Sequence, residues 1–431
     1  MRNKILINYS IAILLGLTTG IISSLFQLAI QHLDAFIAAA LAFISNKTAL
    51  IGLFSAMITM MLVFIAWFMV RDIAPEAAGS GVQEIEGALA HKRPINWRRL
   101  LPVKFFGGVM AISSKLVLGR EGPTIQMGGN LGEMYGELFR FSQEKKDTLI
   151  MAGAAAGLAS AFNAPLAGVL FVMEELRDEF QFTFINLKII AISCVMATVT
   201  LHYIVGSGPA IPMDTFDLPS LKSLWLFFLL GIIFGFAGLL FNKTLMRTLE
   251  LTDKLSKWQR VLYILSVGCF IGFLAYYYPD LVGGGYHIIQ RAVSLSPDFS
   301  FLILILVLRF FTTMLSYSTG VPGGIFAPML ALGAVLGTAA FYILNYLISD
   351  LTIHPGMFAV AGMGALFSAA VRAPITGIVL VVEMTQNYSL ILPLMVCCLT
   401  STTIMQLAAD QPIYTQLLRR TLRKARKLED K

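Results

Sequence analysis

Val117-Leu118-Gly119-Arg120-Glu121-Gly122-Pro123-Thr124-Ile125-Gln126-Met127-Gly128-Gly129-Asn130-Leu131-Gly132 decides the fold. The stretch is rich in glycine and carries an acid, yet it sits in a chain of 431 residues that is 57% hydrophobic and only 13% charged. Lipid cannot solvate free backbone N–H groups, so such a segment survives only buried in protein or lining a cavity. A helix beginning near Pro123 aims its open N–H groups back at that cavity, where their partial positive charge suits an anion. Glu121 stands at the same spot. The stretch therefore reads as an anion site with an acid able to occupy it.

Working outward, long uncharged runs recur at 8–31, 48–70, 224–242, 261–279 and 388–409. Each spans or nearly spans a hydrocarbon core, which takes roughly 20 helical residues. The 36 glycines and 16 prolines, many inside apolar segments, call for broken helices. The expected class is an all-α integral membrane protein of many tilted, broken and re-entrant helices. No cleavable signal is evident, because the first apolar run lacks a clear small-residue cleavage site. Cys194, Cys269, Cys397 and Cys398 lie in apolar runs and read as small buried hydrophobes. The five histidines are scattered without a ligand pattern. No metal, no cofactor and no enzymatic activity are expected. The net charge of +7 reports membrane orientation, not nucleic-acid binding.

Arg2 and Lys4 precede the first span, and Arg419, Arg420, Arg423, Lys424, Arg426, Lys427 and Lys431 crowd the tail. By the positive-inside rule both termini are cytoplasmic, with the tail a solvated basic helix at the lipid surface. The loop holding Lys92, Arg93, Arg98 and Arg99 is assigned to the same side. Four segments result: a first transmembrane half at 1–205, a polar connector at 206–221, a second half at 222–415 and a basic tail at 416–431.

The second half repeats the first. Gly79-Ser80-Gly81 answers to Gly283-Gly284-Gly285 at an offset of 204 (283 − 79). Gly119-Arg120-Glu121-Gly122-Pro123 answers to Gly324-Ile325-Phe326-Ala327-Pro328 at 205 (324 − 119), continuing through Gly128/Gly333 and Gly132/Gly337. Ala164-Pro165-Leu166-Ala167-Gly168 answers to Ala373-Pro374-Ile375-Thr376-Gly377 at 209 (373 − 164), running on to Glu174/Glu383. The basic loop of 92–99 corresponds to 293–300, whose only charge is Asp298; Lys145-Lys146 corresponds to a stretch with Asp350 and His354. Loops of unlike charge suggest opposite membrane faces, hence two inverted-topology repeats that meet at the midplane.

The repeat serves as an internal control: shared features are architecture, and features of one half are candidates for function. Glu121 aligns with Phe326, and Glu175 with Met384, so these two acids have no counterpart. An ionisable group on a glycine-rich break within the membrane is functional by default, the alternative being an ion pair with Arg120. Burial and nearby N–H groups act on its proton affinity in opposite senses. Glu175 precedes Arg177, Asp178 and Glu179, so a solvated helix end competes with a functional role. Glu174 and Glu175 lie about 100° apart on a helix and face different surroundings. Ser80 offers a hydroxyl to an anion or to a helix cap. Tyr414 alone reads as an interfacial tyrosine, and Lys104 as a snorkelling or a buried cation.

Gly79-Ser80-Gly81-Val82-Gln83, Gly119-Arg120-Glu121-Gly122-Pro123 and Gly324-Ile325-Phe326-Ala327-Pro328 resemble the three selectivity-filter motifs of the CLC chloride channels and transporters. The resemblance runs nearly the whole chain and looks closest to the bacterial proton-coupled chloride exchangers. It implies an all-helical homodimer in the bacterial inner membrane, with one pore per subunit and chloride and protons as substrates. Ser80, Tyr414 and the backbone N–H groups of Ile325 and Phe326 would bind chloride. Glu121 looks like the external gating glutamate and Glu175 like the internal proton glutamate. The first motif departs from the family, which usually has proline where Gln83 stands.

The expected function is secondary active exchange of chloride for protons, with Glu121 shared by both ions. A passive voltage- or pH-gated chloride channel of the same fold is the alternative, separated from it by Glu175. A remote third reading is an intramembrane serine hydrolase on Ser80 with a histidine base; Ala78-Gly79-Ser80-Gly81 lacks the glycine two before the serine that a GxSG motif needs. Exchange ratio, direction, chloride–nitrate selectivity and regulation lie beyond the sequence.

Overall fold

The computed structural model describes residues 2–43, 48–176, 183–217, 220–294, 298–348 and 353–429. Arg177, Asp178, Glu179, Asp350 and Lys431, which enter the charge reading above, lie outside the described residues. Among the described residues the chain is all-helical. The first half holds α1 (Arg2–Phe43), α2 (Thr48–Asp72), α3 (Val82–Leu89), α4 (Trp97–Ser113), α5 (Glu121–Leu138), α6 (Gln143–Phe162), α7 (Pro165–Glu175) and α8 (Phe184–Ile204). The second holds α9 (Leu224–Asp253), α10 (Lys257–Tyr277), α11 (Tyr286–Ser294), α12 (Phe299–Ser318), α13 (Phe326–Leu347), α14 (Pro355–Val371), α15 (Pro374–Thr385), α16 (Ile391–Leu407) and α17 (Ile413–Glu429).

Among the described residues eight segments are long and apolar enough to cross a bilayer, at α1, α2, α8, α9, α10, α12, α13 and α16. The helices α3, α7, α11 and α15 have 8, 11, 9 and 12 residues. At about 1.5 Å per residue none of these reaches across a core of about 30 Å. They are the broken helices that the glycine and proline content called for. The protein is an all-α integral membrane protein. Cys194, Cys397 and Cys398 are buried as expected, but Cys269 is exposed on α10. In a bilayer an outward face meets lipid, so an apolar run does not imply burial in protein.

The order α4-α5-α6-α7 recurs as α12-α13-α14-α15, and matched residues make matched contacts. A Cβ on Gly128 of α5 would collide with the Gly153 carbonyl of α6, and one on Gly153 with the Gly128 carbonyl. Gly333 and Gly362 stand in the same relation between α13 and α14. Small residues let backbones close together where water supplies no hydrophobic drive between helices. The shared acids cross-cap the halves. Glu174 accepts from the N–H groups of Ile375 (3.0 Å) and Thr376 (2.6 Å) at the start of α15, and from the Thr376 hydroxyl (2.7 Å). Glu383 accepts from Leu166 N–H (3.2 Å) and Ala167 N–H (2.8 Å) at the start of α7. Each carboxylate satisfies orphan donors at a helix N-terminus of the other half.

Two buried cations complete the frame. Lys104 of α4 does not snorkel; it is fully buried and donates to the carbonyls of Ala77 (3.0 Å) and Gly79 (2.7 Å). Arg309 of α12, equally buried, donates to the carbonyls of Asp280 (2.9 Å), Val282 (3.1 Å) and Gly283 (2.6 Å). The two are a repeat pair at the same offset of 205 (309 − 104). Each clamps the chain entering a glycine turn.

Candidate anion and proton site

Those turns are stitched together by main-chain hydrogen bonds. Gly79 N–H donates to Val321 (3.1 Å) and Gly323 N–H to Gly79 (3.0 Å). Gly119 and Gly324 exchange both bonds at 2.8 Å. The first motif is thereby tied to the third, and the third to the second. Gly79 and Gly81 have φ of 63° and 88°, left-handed values that favour glycine. Each motif then runs into a helix: α3 at Val82, α5 at Glu121 and α13 at Phe326. The first N–H groups of those helices, Ile325 and Phe326 at α13 included, have no carbonyl of their own helix to bind.

Side chains close the space between the loops. A Cβ on Gly122 would strike the Ser80 hydroxyl, which puts Ser80 against the start of α5. Tyr414 of α17 is fully buried and stacks on Phe326, centroids 5.9 Å apart. Phe162, Phe171 and Phe367 wall the other sides of Phe326 at 5.9, 6.0 and 4.9 Å. The Ser80 and Tyr414 hydroxyls lie near each other, and neither atom has a hydrogen-bond partner among the described residues. Buried polar atoms of a native protein are satisfied as a rule, so two such hydroxyls facing one space mark a place for a polar species.

Glu121 is fully buried on the first turn of α5. Its Oε1 accepts a 2.6 Å hydrogen bond from the Tyr286 hydroxyl. The N–H groups of Glu121 itself and of Ala327 aim at the carboxylate without closing tight bonds, and Oε2 has no hydrogen-bond partner among the described residues. The acid thus lies over the N-termini of α5 and α13, as an anion would. Arg120 does not pair with it; its guanidinium lies 5.6 Å from the Tyr286 ring centroid and donates to the Ala161 carbonyl at 3.4 Å. Pro123 and Pro328 both sit in the first turn of their helices, where a missing N–H costs nothing.

Gln83 makes good its missing proline. Its Oε1 accepts from Gly81 N–H at 3.2 Å and its Nε2 reaches the Ala78 carbonyl at 3.5 Å. The side chain folds back and braces the turn that a proline ring would stiffen. A cavity of about 360 Å³ leads toward this turn, with Gly79, Gln83, Tyr317, Arg260, Arg420 and Lys424 in its wall. Arg420 binds Asp253 at 2.8 and 2.5 Å, and Lys424 pairs with the same acid. These tail cations are therefore held by protein. Lys424 falls below the ordinary lysine range through burial first and Arg420 second, with Asp253 opposing both. Because α17 begins at Ile413, one helix carries both Tyr414 and the tail, across the 415/416 boundary drawn from the sequence.

Glu175 closes α7, half-buried, and acts electrostatically on Tyr414. The five histidines bind Leu28, Asp147, Asn163, Asp280 and Gly356, and none of these contacts is with Ser80. The serine-hydrolase reading needs a histidine at Ser80, and these contacts do not supply one among the described residues. Three contributors escaped the sequence reading: Arg309, Tyr286 and Tyr317, whose hydroxyl lies 3.4 Å from Ser80 N. The repeat held the signal. Offset 205 pairs Arg309 with Lys104, whereas Tyr317 aligns with Ile112 and Tyr286, at 204, with Val82.

The model of the family described as voltage gated chloride channel matches residues 61–406. The chain belongs to the voltage-gated chloride channel family. Within that family the H(+)/Cl(-) exchange transporter ClcA of Vibrio cholerae serotype O1 (strain ATCC 39541) is 46% identical over 418 residues, 96% of this chain and 89% of the relative. The same-named protein of Salmonella paratyphi B is 42% identical over 419 residues, 96% and 88% of the two chains. The crystal structure of a slow cyanobacterial Cl-/H+ antiporter superposes with a TM-score of 0.93 at 38% identity, covering 97% of this chain and 98% of that one.

Proposed function

We propose that this protein is a secondary active transporter that exchanges chloride for protons, with Glu121 as a gate used by both ions. The observation that carries the reading is the Glu121 carboxylate itself, fully buried over the N–H groups that open α5 and α13. A carboxylate and a chloride compete for such donors. Protonation removes the negative charge, weakens those bonds and frees the side chain to leave. One proton is thereby coupled to the admission of an anion. The names of the bacterial relatives support exchange over passive conduction.

In this reading Ser80, Tyr414 and the N–H groups of Ile325 and Phe326 hold the central chloride. Glu175, at the α7 end, passes protons from the cytoplasmic side. The two halves are inverted repeats, both termini are cytoplasmic, and the cavity beside α17 is the inner mouth. The protein resides in the bacterial inner membrane as a homodimer with one pore per subunit. Leu166 and Ile375, exposed at the cross-capped starts of α7 and α15, and Val195, Val199, Met395 and Leu399 on α8 and α16 offer the apolar face for it. The test is flux in proteoliposomes: a chloride gradient should drive protons uphill, and Glu121→Ala should abolish proton movement while chloride flux persists. Coupled proton movement in that variant would refute the assignment.

A further inference from the structure

Among the described residues Tyr286 is the one donor side chain that closes a hydrogen bond on the Glu121 carboxylate, and its hydroxyl has no counterpart in the other half. We propose that Tyr286 is a latch: a positioning residue that holds the Glu121 carboxylate over the anion-binding N–H groups and sets how readily the gate releases. The inference rests on the gate reading above. Three features fix the phenol in place. Gly285 precedes it with φ of 98°, a turn conformation that favours glycine. The turn is pinned by Arg309 on the Gly283 carbonyl (2.6 Å) and by Gly283 N–H on the Lys115 carbonyl (2.8 Å). Arg120 covers the face of the half-buried ring.

The chemistry of the bond makes it selective. A phenol O–H donated to a carboxylate is charge-assisted and about twice as strong as one to a neutral acid. The hydroxyl therefore favours the ionised, site-filling form of Glu121 over the protonated form that leaves. Chloride arriving at α13 has to displace a carboxylate held by the phenol as well as by main chain. The groups near Glu121 that carry a charge or a titrating proton are Arg120 on its own turn, Tyr286 on α11 and Tyr414 on α17. His287 and Asp280, next along the surface, pair with each other at 3.4 Å. Arginine and tyrosine do not titrate as a class between about pH 4 and 8 but His287 does, so a shift in that range is assigned to the carboxyl where it persists in a His287→Gln background.

Tyr286→Phe removes the hydroxyl and keeps the ring under Arg120. In proteoliposomes the pH midpoint of exchange, varied on the α11 side, should move up by about one to two units, the size of a charge-assisted hydrogen bond. Turnover at neutral pH should rise several-fold with the chloride-to-proton ratio unchanged. Chloride titrated into the detergent-solubilised variant should bind about tenfold more tightly, because its competitor is held less firmly. On a Glu121→Gln background the same substitution should add nothing to chloride affinity, since no carboxylate remains to latch. If Tyr286→Phe does not assemble, Tyr286→Leu removes the same hydroxyl and reads the same midpoint. An unmoved midpoint and affinity, with Glu121→Ala still uncoupling protons, would overturn the latch alone. Retained coupling in Glu121→Ala would instead overturn the gate and the latch together.

Discussion

Replacing Glu174 with alanine should weaken the fold and spare proton coupling, whereas the same change at the next residue, Glu175, should cost that coupling. Glu174 accepts three hydrogen bonds from Ile375 and Thr376, two of them at 2.6 and 2.7 Å. A hydrogen bond to a charged group contributes about 1.5–2 kcal/mol net in a partly buried setting, so losing the two shorter ones costs about 3–4 kcal/mol. For 431 residues at about 2 cal/mol/K of unfolding entropy each, that is a fall in melting temperature of about 4 °C. Glu383, with bonds of 3.2 and 2.8 Å, should cost about half as much when truncated. Glu175→Ala should instead abolish chloride-driven proton movement, the loss that Glu174→Ala should not show. Thermal unfolding in detergent and chloride-driven proton flux in vesicles, run on the same preparations, separate the two roles. A Glu174→Ala protein that melts like the parent, or that folds and fails to couple, would show that matching across the repeat does not mark architecture.

Arg309→Met should be the most damaging of the frame substitutions, because it strands three carbonyls where Lys104→Met strands two; the expected loss is about 3–5 kcal/mol, read as yield and melting temperature. If Lys104→Met proves the costlier of the pair, hydrogen-bond count is not what holds the turns. Gln83→Pro should fold normally, since the second position of a helix has no intrahelical N–H bond to lose, with a stability change under about 1 kcal/mol. It should also release Gly81 N–H and raise apparent chloride affinity a few-fold in a binding titration. Weaker chloride binding in that variant would mean that Gln83 supplies a ligand of its own.

The frame was legible because lipid leaves few ways to satisfy a backbone. Glycine within an apolar run had to mean a broken helix or a close helix contact, and Gly128, Gly153, Gly333 and Gly362 are such contacts. The repeat then separated Glu174 from Glu175, which composition alone could not do. Two kinds of information escaped. A single cation in an apolar run is costly to bury, which favours snorkelling for Lys104; only the folded turn supplies the carbonyls that offset burial. Hydroxyls without a repeat partner carry the same signal as unmatched acids. Tyr286 and Tyr317 show it as clearly as Glu121 does, yet an aromatic residue in a membrane protein has a ready explanation as packing or an interfacial belt. The Gln83 brace was out of reach for another reason: a side chain that returns to its own turn leaves no periodic trace.

With the halves inverted as proposed, matched residues make a frame that treats both membrane faces alike. Cross-caps, cation clamps and glycine contacts occur once in each half, and a pore made of these alone would have no preferred side. Whatever distinguishes outside from inside has to come from positions where the halves differ. Those positions are Glu121, Tyr286, Ser80, Tyr317 and Tyr414 around the stitched loops, with Glu175 on the α7 end. The polar one-sided groups thus fall where a dehydrated anion and a proton would need them, and the packing is left to the residues that repeat. In the exchanger proposed above, coupling is a property of broken symmetry. A substitution that restores symmetry, such as Tyr286→Val after its partner Val82, should loosen the gate without loosening the fold.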